Sequence, residues 1–202
     1  MIQSVASLSL IKMSAAWDIG YALFCIALNR ENRMSPRKEL PTRTAEQHEP
    51  EGINAGVLTA FMQALLSAEN YQKYLDDKVH YVSLNKHNEE LRKIMPWAGE
   101  HHGVAEYVRM QDVIGGYCNF GEFSVDKVFG VGEDVAAFGW FTYSGKKIGR
   151  LIQTPFSIHA KVKNSKIIYF QFFEDTYATA SAYRRSGKWN VENGEGASVV
   201  GI

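Results

Sequence analysis

Residues 120–179 carry four apolar, alternating runs that are broken only at 130–134, 144–147 and 163–166. Runs rich in Val, Ile, Phe, Tyr and Trp between such breaks form consecutive antiparallel strands joined by short turns, because branched and aromatic side chains pack well on a pleated surface. A strand meander is therefore the frame to which everything else must be fitted. No nucleophile, metal or phosphate motif accompanies it: the glycines at 115–116 and 130–132 are turn glycines and open no helix after a strand.

The rest of the chain supplies helices. Val57, Phe61, Leu65 and Ala68 recur at helical spacing, with Leu58, Met62 and Leu66 widening the stripe. A shorter helix is expected over 70–75, ended by Asp76 and Asp77, then a short strand over 80–84 and a helical turn over 88–94. A third helix is expected over 104–114, stopped by Gly115 and Gly116. Residues 30–52 are charged, contain Pro36, Pro41 and Pro50 and lack periodicity, which is linker composition. The expected division is an N-terminal extension and linker over 1–52, an α+β domain over 53–185 and a polar, glycine-containing tail over 186–202.

Lys plus Arg equals Asp plus Glu at 22 each, so charge favours neither a nucleic acid nor an anionic membrane. The apolar run 17–28 is shorter than the roughly 20 residues needed to span a bilayer. Strongly polar residues follow it rather than a cleavage site, and an extra helix or an upstream extension is the simpler reading. Cys25 and Cys118 are far apart and form no ligand pair. A reduced, cytoplasmic protein is expected, with one disulfide as the alternative.

Three stretches carry a family resemblance: LDDKVHY at 75–81, PWAGEHHG at 96–103, and VKNSKI at 162–167 followed by FEDT at 173–176. In this order they resemble the nuclear transport factor 2-like superfamily, which includes ketosteroid isomerases and SnoaL-like polyketide cyclases. Asn164-Ser165 stands where Asp-Gly is more usual. The resemblance implies a cone-shaped α+β fold, in which a curved mixed or antiparallel sheet wraps N-terminal helices as a cystatin-like, SnoaL-like α+β barrel. It further implies a hydrophobic pocket for a small molecule, cofactor-independent isomerase, cyclase, dehydratase or hydrolase chemistry by proton transfer, and a homodimer formed through the sheet. A non-catalytic ligand-binding or dimerisation module is the alternative.

Candidate residues are polar groups set among apolar ones, where an apolar surrounding brings a carboxyl pKa toward neutrality. Strict alternation puts Ile167, Tyr169, Gln171, Phe173 and Asp175 on one face of the last strand, and Ile168, Phe170, Phe172 and Glu174 on the other. Asp175 is the first candidate acid or base and Gln171 its orienting partner, although Asp175 is equally placed to cap a helix starting at Thr176 or Tyr177. His159 and His80 are further catalytic candidates. His159 shares its strand face with Ser157 and Lys161, which equally suits solvent or an interface. His80 and Tyr81 point to opposite faces, and one of them is expected to point inward. Tyr81, Trp97, His101, Tyr169, Gln171 and Phe173 are candidate ligand contacts, with Trp97 and His101 at the pocket mouth. Adjacent His101 and His102 diverge in direction, and no third ligand follows at a metal-binding spacing, so no metal site is expected.

Overall fold

A computed structural model describes residues 52–67, 69–192 and 196–201. The N-terminal extension, the linker and Cys25 lie outside these residues. The first described helix, α1 (Ile53–Leu66), buries Leu58, Phe61 and Met62 from its apolar stripe. A 3-10 turn (Tyr71–Tyr74) leads into β1 (Leu75–Ser83), which starts five residues earlier than the apolar pattern suggested. Asp76 does not end a helix here. Its carboxylate accepts the Lys78 amide at 2.9 Å, inside the irregular stretch where β1 shifts register against its partner. Asn88 caps α2 (Glu89–Ile94) by accepting the Leu91 amide.

A strand with almost no apolar signal follows: β2 (Gly99–His102), which pairs antiparallel with β1. The helix α3 (Val104–Tyr117) runs through Gly115 and Gly116 and gives way only to the extended chain at Cys118. The meander is then β3 (Cys118–Val131), β4 (Asp134–Gly145), β5 (Leu151–Lys163) and β6 (Lys166–Glu174). A short helix α4 (Thr176–Ser181) and a separate hairpin, β7 (Lys188–Glu192) with β8 (Ala197–Gly201), complete the described chain.

The main sheet has the order β2-β1-β6-β5-β4-β3, with β1 and β6 parallel and the other pairs antiparallel. It is curved and mixed but open, so it is not a closed barrel. Helices α1 and α3 pack on one face, and the core lies between: Phe61, Tyr81, Tyr107 and Phe170 form a set of edge-to-face and tilted rings. Such ring pairs contribute roughly 0.5–1.5 kcal/mol each beyond area burial. Among the described residues no helix is long and apolar enough to cross a membrane.

One irregularity decides which residues face this core. Lys161 pairs with Tyr169 but Val162 pairs with Ile167, so Ile168 is an extra residue in β6. Such a bulge changes the parity of a strand. Ile167 therefore joins Phe170 in the core, both at most 4% exposed, and Phe172 and Glu174 follow on the helix-facing side. Tyr169, Gln171 and Phe173 lie on the outer face.

Candidate functional site

Glu174, the last residue of β6, lies at the end of the helix-facing row that begins with Phe170. The residue is half-buried. Its surroundings nevertheless desolvate the carboxylate enough to push its pKa from the ordinary 4.5 up to about 8; the charge of Asp175 adds to the rise, and the Thr179 hydroxyl works against it. At neutral pH this carboxyl therefore holds its proton.

Three neutral donors lie within its electrostatic reach. The Tyr143 and Tyr183 phenols are pushed far above their usual value by burial first and by Glu174 among the other causes. The Cys118 thiol is pushed up to about 11, again mainly by burial. Cys118 is free and buried, with its sulfur 2.7 Å from the Tyr183 hydroxyl. The Tyr143 hydroxyl donates to the Thr179 carbonyl at 3.3 Å. These groups come from β3, β4 and the segment after α4, so only the folded chain assembles them.

An aromatic wall continues from this cluster. Phe123 stacks on Phe156 with ring centres 4.6 Å apart, Phe156 stacks on Phe172 at 5.3 Å, and Phe141 meets Phe172 edge-on at 5.8 Å. Gly139 makes the packing possible: a Cβ there would sit 2.0 Å from the Ser124 carbonyl oxygen and 2.7 Å from the Phe156 ring. Phe141 and Phe156 are buried, whereas Phe123, Phe172 and Glu174 keep partial exposure although they face the helices. The partly exposed end of the wall is the end where the carboxyl sits. Deeper in, burial pushes the Tyr81 phenol up to about 12, with hydrogen bonds from Ser83 and Gln111 acting against the rise.

The sequence candidates divide into groups. Tyr81 is buried on the helix-facing side. His101 is next to it, with its ring 5.6 Å away, and its Nε2 lies 2.9 Å from the Trp97 carbonyl. Trp97 is itself buried against Tyr117 and Tyr183 instead of forming a rim. His80, Tyr169, Gln171 and His159 share the outer face. Tyr169 donates to Gln171 Oε1 at 2.6 Å, Gln171 donates to the Leu84 carbonyl at 3.3 Å, and His159 pairs with Asp134 at 2.8 Å. Phe173 is exposed there. Asp175 caps α4, its carboxylate accepting the Tyr177 and Ala178 amides at 3.0 and 3.2 Å. Glu174, Tyr143, Tyr183 and Cys118 were not among the sequence candidates. Cys118, Tyr143 and Tyr183 come from other elements that only the fold brings near Glu174, and alternation along β6 does not say which of its two apolar faces meets the helices.

No family model matches the chain. Patulin synthesis protein F of Aspergillus clavatus is 37% identical over 125 residues, which are 59% of this chain and 63% of that protein. Patulin biosynthesis cluster protein F of Penicillium expansum is 36% identical over 124 residues, 59% of this chain and 62% of that protein. The chain thus matches less than two thirds of the length of either. Among solved structures, an NTF2-like protein from Burkholderia thailandensis has a TM-score of 0.57 at 17% identity, covering 65% of this chain and 97% of that one. TerC, co-crystallized with polyporic acid, also has a TM-score of 0.57, at 14% identity, covering 64% and 97%. A Xanthomonas campestris protein with a cystatin-like fold has a TM-score of 0.51 at 17% identity, covering 65% and 98%. With helices packed on one face of a curved, open, mixed sheet, the chain has the nuclear transport factor 2-like fold.

Proposed function

We propose that the helix-facing side of the sheet receives a small hydrophobic molecule bearing a carbonyl or hydroxyl group, and that Glu174 moves a proton to or from it. The observation that supports this reading is a carboxyl with a pKa of about 8 at the open end of an aromatic wall. A general acid or base works best when its pKa lies near the operating pH, and such groups contribute typically 10²–10⁴-fold to rate. Tyr143, Tyr183 and Cys118, all neutral, are positioned to hold the substrate oxygen by hydrogen bonding. The reaction class is a cofactor-independent isomerisation, cyclisation or dehydration. The names of the two relatives place them in patulin synthesis, and a related small-molecule biosynthetic step is the role assigned to this chain. A module that only bound a ligand would be served by the aromatic wall without a buried acid.

A second copy of the chain covers the outer face in this reading, where Phe129, Phe138 and Phe173 are each more than a third exposed. Phe129 and Phe138 stack at 6.0 Å. Native mass spectrometry reads the assembly, and a monomer at micromolar concentration removes that part of the proposal.

The test of the chemistry is complementation of an Aspergillus clavatus strain lacking patulin synthesis protein F. The wild-type chain should restore patulin, and Glu174→Gln, which keeps size and neutrality but cannot transfer a proton, should not. Restoration by both would remove Glu174 from the mechanism. Failure of the folded wild-type chain would remove the patulin-type substrate.

A further inference from the structure

The outer face of the β1/β2 edge holds a second constellation, independent of the Glu174 cluster. His80 lies directly opposite His102 across the antiparallel pair, and Glu100, two residues before His102 on β2, points to the same face. The two imidazole rings stack with centres 4.6 Å apart and planes 19° from parallel. His80 Nε2 and Glu100 Oε1 are 2.6 Å apart. One ligand atom from each of the three residues lies within 4.8 Å of the others.

Three donor side chains on one face of one strand pair suit a shared cation. His80 Nε2 is shut off from solvent and, among the described residues, has no partner with hydrogen-bond alignment, although the Glu100 oxygen is close. The Glu100 side chain remains 37% exposed. We propose that His80, Glu100 and His102 form a binding site for a divalent transition-metal ion of the zinc type, with two imidazole nitrogens and one carboxylate oxygen as ligands.

The donor set suits zinc, and three protein ligands leave a fourth tetrahedral position open to water or an oxygen ligand. Metal–ligand bonds of about 2.0–2.2 Å would place the donors of such a site about 3.3 Å from one another. Glu100 therefore moves back from His80 by less than an ångström, and the more distant donor closes in by at most about 1.5 Å. Lys86 Nζ, 3.4 Å from Glu100 Oε1 on an exposed side chain, swings away as the cation takes its place. Tyr169 packs edge-on against His80 at 5.2 Å and backs the ring on its other side. Residue spacing along β2 shows only two of the ligands. The third comes from the neighbouring strand, which no local motif reveals.

The experiment uses the full chain, stripped with a chelator and dialysed, and titrates it with Zn(II) calorimetrically and with Co(II) by visible absorption. The expected result is saturable binding of one ion per chain and tetrahedral Co(II) bands. His102→Ala and Glu100→Gln, both at exposed positions, should weaken binding by more than the roughly 10–100-fold that changes to groups behind the ligands produce. His159→Ala, whose partner is Asp134, should bind as the wild type does. Circular dichroism confirms that each variant is folded. Absence of saturable binding by the wild type, or binding unchanged in both His102→Ala and Glu100→Gln, overturns the proposal.

Discussion

Replacing Glu174 by glutamine should change the pH dependence of stability in a direction that an ordinary surface glutamate cannot produce. The folded state holds a proton on this carboxyl up to about pH 8, whereas the unfolded chain releases it near 4.5. Between those values the folded state binds more protons than the unfolded one, so stability falls as pH rises through the window and levels off above it. At about 1.36 kcal/mol per unit the whole shift amounts to about 5 kcal/mol, of which about 3 is already lost at pH 7. Water reaching the half-buried residue reduces this, and about 2–4 kcal/mol across the window is expected. Glutamine mimics the protonated acid. Urea unfolding of both proteins at pH 5, 7 and 9 should therefore give nearly equal stabilities at pH 5 and a growing advantage for Glu174→Gln toward pH 9. Curves that differ by a constant across the range would show that Glu174 ionises normally, and would remove both the linkage and the proton-transfer role built on it.

Three further changes have expected outcomes. Asp175→Ala removes a helix cap that satisfies two amides and should lower the unfolding free energy by about 1 kcal/mol in urea titrations. Asn164 and Ser165 both adopt positive φ, 51° and 59°, in the β5/β6 turn; glycine accepts that conformation freely, so Ser165→Gly should stabilise by about 0.5–1 kcal/mol, read as a shift in the urea midpoint. Cys118, with its thiol pKa raised to about 11, should resist a thiol-specific disulfide reagent at pH 8 in a Cys25→Ser background and react at once in denaturant.

The meander was legible because its strands bury one face, so burial alternates along β4 and β5 without interruption and mostly apolar residues fill the buried positions. The two other outcomes have different physical causes. The residues of β2, Gly99-Glu100-His101-His102, contain no apolar side chain to mark a strand; pairing with β1 is what makes them one. The row of Phe170, Phe172 and Glu174 was visible as a row, but both faces of β6 are apolar and its pairing with β5 decides which one meets the helices, while an unpaired residue at Ile168 moves Ile167 into that row. A bulge is a property of two strands at once, and neither sequence alone contains it. The cap at Asp175 follows from local chemistry and was one of the two readings of that residue; the carboxyl with the raised pKa is its immediate predecessor in the chain.

The two faces of the β1/β2 pair carry different side chains, and their separation rests on register. Tyr81 pairs with His101 facing the helices, and His80 pairs with His102 facing outward. A slip of one residue would carry His80, Glu100 and His102 into the core, where an unpaired carboxylate or imidazole costs several kcal/mol. It would also expose Tyr81, which now packs against Tyr107 at 4.9 Å. Glycines with positive φ at both ends, Gly99 at 126° and Gly103 at 86°, bound the strand, and the Gly103 amide is tied to the Val79 carbonyl at 2.8 Å. A side-chain substitution at His101 or His102 therefore acts on one face alone, whereas an insertion or deletion between Gly99 and Gly103 changes the parity of both.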